Sequence, residues 1–263
     1  MKHVVLFIAL TLLTCVSCSR SSAPNPAPNA VRAQEDLSLA PADYMNLGFP
    51  ASDRPWTTPD YQAVFRSMKT LPVSQFPRTT SPKSSPVVDR LTNPDNLGVF
   101  ANRSLPLDHR FLPCIDLIDA ANGITKLYLA AHSRTPLFAE DFMRMQGFML
   151  QAVAVQLGLL SELLPTLDKA DPKYPTRMAG LDQARQGMAQ MIQGMLIVLE
   201  DRNTYPPNSR ADFASIIATT FPTIAKDLPP LSRQEFENTL RRITREEKDD
   251  AVRAVLSKAI PPE

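Results

Sequence analysis

Residues 147–160 constrain this chain more than any other part of it. The run GFMLQAVAVQLGLL carries no charge and only two polar side chains, Gln151 and Gln156. It lies inside residues 136–164, which read as one long helix. Thr135 stands in the cap position, Pro136 opens the helix, Glu140 and Asp141 suit the positive end of its dipole, and Pro165 closes it. A helix that is apolar on nearly every side has to be covered on nearly every side. The rest of the chain therefore has to supply several helices or segments that pack around it.

Helical patterns follow one another from Leu112 onward. Leu117, Ala121, Ile124, Tyr128 and Ala131 form one stripe over 113–133. Pro175 starts a helix over 175–202, with Met188, Ile192, Met195 and Leu199 on one side. Ser209 and Asp212 form an approximate capping box for 210–227, a helix that Pro222 is expected to kink. Ser232 and Glu235 form a second box for 233–259, and the charged run 244–250 is expected to break that helix or make it bulge outward. The expected fold class is all-α: an antiparallel bundle of about five helices, roughly 113–133, 136–164, 175–202, 210–227 and 233–259. A proline-rich extended arm with one short helix (59–70) precedes it.

The arm is inferred from proline. Of 25 prolines, 13 fall before residue 110. Thr58-Pro59-Asp60 is a helix start, with Thr58 as N-cap and Pro59 in the first turn. Tyr61, Val64, Phe65 and Met68 then share a face. Pro72, Pro77, Pro82, Pro86 and Pro94 follow among Ser and Thr, with no strand alternation. This leaves an arm over 41–109 that lies on the bundle at aromatic contact points or, alternatively, is a disordered linker. Residues 18–40, with Pro24, Pro26 and Pro28 among Ser, Asn and Ala, read as a flexible tether. Residues 110–263 form the bundle domain.

Residues 1–17 read as a signal peptide. Lys2 and His3 precede an apolar run, 4–13, interrupted only by Thr11 and too short to span a bilayer comfortably. It ends in Thr14-Cys15-Val16-Ser17-Cys18-Ser19. This ending resembles bacterial lipoprotein precursors, in which a small residue precedes a cysteine that becomes diacylated and then forms the mature N-terminus. Ser17 before Cys18 fits. Three residues upstream that pattern has Leu, where this chain has Cys15. Reading Cys15 as the lipidated residue restores Leu12 but puts Thr14 just before the cut. The resemblance implies lipidation at Cys18 and anchorage to a membrane; Ser19 resembles the subset sorted to the outer membrane, facing the periplasm or the exterior. The alternative is an ordinary secretory signal cleaved near Ser17, with Cys18 left as a thiol. Both readings export the protein. With Cys18 lipidated, Cys114 has no partner; with Cys18 free, a Cys18–Cys114 disulfide becomes possible.

Glycines inside helices each cost roughly 1 kcal/mol against Ala, so several together need a reason. Gly180, Gly187 and Gly194 are seven apart and share a face, and Gly147 and Gly158 share another. If 136–164 and 175–202 pack antiparallel, Gly158 falls opposite Gly180 and Gly147 opposite Gly194. The same construction places Gly123 at the level of Gly147. The expectation is close helix packing at these glycines. Space left for a ligand and chance alignment are the alternatives.

Chemical signatures are sparse. A formal net charge of +1 gives no case for nucleic acid. Thioethers can bind Cu(I), and Met188, Met191 and Met195 share a helical spacing, but methionine is also ordinary core filler. His109 and His132 read as structural. Asp116 and Asp119 are one turn apart, as many solvated pairs are. No G-x-S-x-G, H-E-x-x-H, P-loop or G-x-G-x-x-G is present. Arg241, Arg242, Arg245, Lys248, Arg253 and Lys258 are balanced by Glu235, Glu237, Glu246, Glu247, Asp249 and Asp250. A solvated face explains them better than a phosphate or lipid-headgroup site. No residue is assigned to catalysis, to a cofactor or to a metal. The expectation is a non-enzymatic envelope lipoprotein, a helical-bundle binding or scaffolding module. Its partners would be the membrane, through the N-terminal lipid, and an envelope protein, with no nucleic acid. The alternatives are a carrier of a small apolar ligand held between 136–164 and 175–202, and, less favoured, an enzyme with scattered site residues.

Overall fold

A computed structural model describes residues 37–50 and 54–260. Residues 1–36, which include the signal segment, Cys18 and most of the tether, lie outside the described residues. Among the described residues there are ten α-helices and no strand, so the fold is all-α. They are α1 (Pro41–Asn46), α2 (Thr58–Met68), α3 (Ser85–Leu91), α4 (Gly98–Ala101), α5 (Leu107–His132), α6 (Ala139–Leu163), α7 (Tyr174–Ile197), α8 (Pro207–Asp227), α9 (Pro230–Glu246) and α10 (Asp250–Ala259).

Helix α6 carries the apolar run and is the centre of the molecule. Ala152, Val153 and Ala154 are buried in succession, and Gln156, Leu157, Leu159 and Leu160 are buried as well. Its most extensive neighbours are α5 and α8, and α7 touches it less. Helix α5 runs antiparallel to α6. Arg110 meets Glu162 at one end, at 2.7 Å, and His132 stacks on Phe142 at the other, with centroids 6.4 Å apart. Helix α8 runs alongside α6 in the same direction: Ile216 lies against Gly147, and Asp227 takes a 2.7 Å hydrogen bond from Ser161. Helix α9 returns antiparallel to α8, with Phe221 stacked on Phe236 at 4.7 Å, and packs on α7, while α10 packs on α8.

The arm is folded rather than extended. It supplies four short helices where one was expected, and Tyr44, Trp56, Tyr61, Val64, Phe76, Leu91 and Phe100 join the same buried core as α5 and α6. The chemistry of the joint follows from proline. A proline-rich segment has few N–H groups with which to satisfy its carbonyls in a regular ladder. Tyrosine hydroxyls take their place: Tyr44 donates to the Gln75 carbonyl at 2.8 Å, Tyr61 to Leu91 at 2.5 Å and Tyr128 to Pro77 at 2.9 Å. Helix α2 starts at Thr58, the residue expected to cap it. Thr57 takes that role, and the Asp60 carboxylate accepts its backbone N–H at 2.7 Å.

Three other boundaries differ for identifiable reasons. Helix α5 begins at Leu107 and runs through Pro113, because Arg110 is buried there; it donates to the Leu105 and Phe100 carbonyls, at 3.2 Å each, and to Glu162. Helix α8 begins at Pro207, ahead of the Ser209 box, with proline in its first turn. The last expected helix is two. It breaks at residues 247–249, where Glu247 turns inward instead of bulging out.

The glycine pairing is corrected as well. The nearest neighbour of Gly147 is Ile216 of α8, not Gly194; an added Cβ would stand 2.5 Å from Ile216 Cδ1. Gly123 lies under the Phe65 ring of α2, where a Cβ would meet two ring atoms at 2.6 Å. Gly158, Gly180 and Gly194 have no atom of another element within 4 Å of where a Cβ would sit, and Gly187 is half-buried. Close approach to α6 at Gly147 comes from α8, two helices on, rather than from α7.

Candidate functional site: an arginine-lined groove between the last two helices

Two amphipathic helices build an open concavity. Helix α9 buries Phe236, Leu240, Ile243 and Thr244, and α10 buries Val252, Leu256 and Ala259. These stripes recur at three to four residues, so each helix lays one face on the bundle and leaves the opposite face polar. The break between them is held by Glu247, which is 2% exposed. Its carboxylate accepts the backbone N–H groups of Lys248 and Asp249, at 2.8 and 2.9 Å, and pairs with buried Arg210 of α8. Asp249 then caps α10 by accepting from Ala251 and Val252, at 3.0 and 3.1 Å. One continuous helix would have carried its polar face along a single rod. The break folds that face into a groove.

The groove has a volume of about 890 Å³ and opens to solvent. Arg241, Arg242, Arg245 and Arg253 line it, with Asp250 as the one carboxylate of the lining and with Thr244 and Ser257 as hydroxyl neighbours. Arg242 is tied to Glu200 at 2.6 Å, and this hydrogen bond holds its guanidinium above its ordinary pKa. Arg253 pairs with Asp250 and donates to the Glu247 carbonyl at 2.9 Å. Arg245 is exposed and has no partner among the described residues. The Thr244 hydroxyl is buried at the groove wall without a hydrogen bond. Such a lining can bind anions, because guanidinium groups match phosphate and carboxylate with paired N–H donors.

Two further cavities are smaller. A cleft of about 410 Å³ lies where α6 and α8 meet the arm, with Glu140, Arg144, Gln151 and Asp212 in its lining. Its aromatic neighbours, Phe148 and Phe213, are each only 1% exposed. A cavity of about 220 Å³ lies beside Leu37, Leu137 and Phe138. None of these three lies between α6 and α7, where an apolar ligand would have been carried.

The remaining sequence candidates are scattered. His109 is exposed in the first turn of α5, while His132 is half-buried at its last, stacked near Phe142 and Tyr205. A helix of that length separates them by roughly 35 Å. Burial lowers the pKa of His132. Met143, Met145, Met149, Met188 and Met195 are core residues. Among the described residues, no group of three His, Cys, Asp or Glu side chains could hold a metal ion. Cys114 is a free, fully buried thiol, its pKa pushed up by burial. Cys18 lies outside the described residues.

Sequence reasoning missed two buried carboxylates. Glu247 is one. The other is Asp141 in the first turn of α6, which is 0% exposed. Asp141 Oδ1 accepts the Thr79 backbone N–H at 2.6 Å and the Thr79 hydroxyl at 2.8 Å, fastening the arm to α6. Its Oδ2 is buried without a partner, and burial pushes its pKa up to about 6. A Glu-Asp pair opening a helix gives no local sign of this, because the dipole alone accounts for it.

The fold is an all-α bundle with an open arginine-lined groove between its last two helices. A scan against protein-family models finds no match, and searches of curated proteins and of solved structures find none either. The 31 residues Pro136–Thr166 form the one described segment long and apolar enough to cross a membrane, and most of its apolar window is buried within the bundle.

Proposed function

We propose that this chain is an exported, lipid-anchored, non-enzymatic module of a bacterial envelope that binds a partner through the α9–α10 groove. One observation carries the reading: a concave, chemically equipped surface lies at the open arginine groove, while most of the aromatic and methionine side chains are consumed in the core. The ionisable groups that are buried serve to fasten elements together, as Asp141 does for the arm and Glu247 for the α9–α10 break. The lipobox-like segment around Cys18 and the proline-bearing tether after it supply the anchor in this reading. Labelled palmitate fed to cells expressing the full chain should enter the protein and disappear in the Cys18→Ala variant. Absence of label, or label surviving in that variant, overturns the anchor.

A further inference from the structure

We infer that the α9–α10 groove docks on phosphate headgroups of an anionic lipid surface, a conclusion that rests on reading the groove as the binding surface. Four guanidinium groups and one carboxylate line it, in a chain whose formal net charge is only +1. The lining itself therefore carries an excess of positive charge. Part of it is internally committed, through Arg242–Glu200 and Arg253–Asp250, which fixes those side chains at the groove. Arg245 is uncommitted and exposed.

A second observation separates lipid from a dissolved anion. Leu231 is 75% exposed, the most exposed large hydrophobic side chain among the described residues. It lies in the first turn of α9, seven residues before Asn238 and fourteen before Arg245. Seven residues are nearly two turns, so Leu231, Asn238 and Arg245 share one face. That face is opposite the buried stripe of Phe236, Leu240 and Ile243, so the leucine is not a stray part of the core. A dissolved phosphate would engage the arginines and have no use for the leucine. A membrane surface uses both: basic residues meet headgroup phosphates, and an apolar side chain enters the acyl boundary. Glu235 and Glu246 oppose the attraction, Glu246 being paired with Arg242 at 3.9 Å, so the attraction is centred on the arginine-bearing half of α9.

The test uses the chain from Ser19 to Glu263, which keeps every residue of the core and carries no acyl group; a cooperative thermal transition verifies that it is folded. Co-sedimentation with phosphatidylglycerol–phosphatidylcholine vesicles should exceed that with phosphatidylcholine alone and fall with added salt. The Arg241→Gln/Arg245→Gln variant should bind roughly tenfold more weakly or worse. Should that variant misfold, Arg245→Gln alone decides, since no partner is lost with it. Leu231→Ser should weaken vesicle binding and leave pyrophosphate binding, measured by calorimetry, unchanged. Three results overturn the inference. The first is equal binding to both vesicle types. The second is an equal loss in Lys169→Gln/Lys173→Gln, which removes the same charge from the exposed α6–α7 connection. The third is pyrophosphate competing fully while Leu231→Ser binds vesicles normally, which would make free phosphate the ligand. Loss of palmitate labelling would remove the anchor without touching any of these outcomes.

Discussion

Glu247 and Asp141 are both buried carboxylates, and they are held in opposite ways. Glu247 faces Arg210, itself 2% exposed, has Arg202 Nε at 3.7 Å, and accepts two backbone N–H groups. Asp141 has the two Thr79 donors on one oxygen and nothing on the other. A buried charge is tolerable when a counter-charge and donors surround it, and otherwise the group moves toward its neutral form. Glu247 is thus a fixed staple that stops α9, starts α10 and ties both to α8. Asp141 is a titrating clasp between the arm and α6.

The largest effect should come from breaking the staple. Arg210→Ala leaves the Glu247 carboxylate buried without its buried cation and with only the more distant Arg202 near it, which is expected to cost about 3–5 kcal/mol of unfolding free energy in a urea titration. Replacing both partners by methionine should recover most of that loss, because the desolvation of two charges disappears with them. A loss below about 1 kcal/mol for Arg210→Ala would mean that water reaches Glu247, and the contrast with Asp141 would fail.

The clasp should show a pH dependence of the opposite sign to that of most carboxylates. Its folded pKa of about 6 lies above the unfolded value of 3.8. Between those values the folded chain holds a proton that the unfolded chain has released, so stability falls as pH rises through the window. Above pH 6 the full cost applies, on the order of 3 kcal/mol. Asp141→Asn keeps an oxygen for Thr79 and removes the charge. It should stabilise the protein at pH 7.5 and have little effect near pH 4, in melts run across that range. An Asn variant less stable than the parent at pH 7.5 would show that the charge strengthens the Thr79 bonds by more than its burial costs.

These two residues also mark how far the sequence could be read. The all-α class and the four helices of the expected bundle that remained whole were legible because apolar spacing is a local signal. Ends were not legible where a distant partner decides them: α5 gains its first turns from Arg110 reaching Glu162, 52 residues on. The run 244–250 was read as a place to break or bulge, and it breaks. Which of its acids turns inward depends on Arg210, 37 residues upstream, and no local pattern encodes that. The groove arginines were all visible as a balanced charge run. Their convergence was not, because it exists only once Glu247 folds the run back on itself.

The smallest effects test the same distinction, local pattern against distant partner, at the glycines. All of them looked alike in sequence as helix-interior residues in want of a reason. Gly123 has one: an alanine methyl there would meet three atoms of the Phe65 ring at 2.6 to 3.0 Å, and a ring cannot yield by bending one end. Gly123→Ala is expected to destabilise by about 1–3 kcal/mol and to loosen α2 from α5. Gly147 is intermediate, since its single close contact is the swinging end of Ile216. Gly180 has open space around it, so Gly180→Ala should add up to about 1 kcal/mol, the ordinary helix preference of alanine over glycine. Thermal melts of the two variants should therefore move in opposite directions. If Gly180→Ala also destabilised, α7 would have to lie closer to a neighbour than it does here, and the antiparallel glycine contact with α6 would return as the better account of that face.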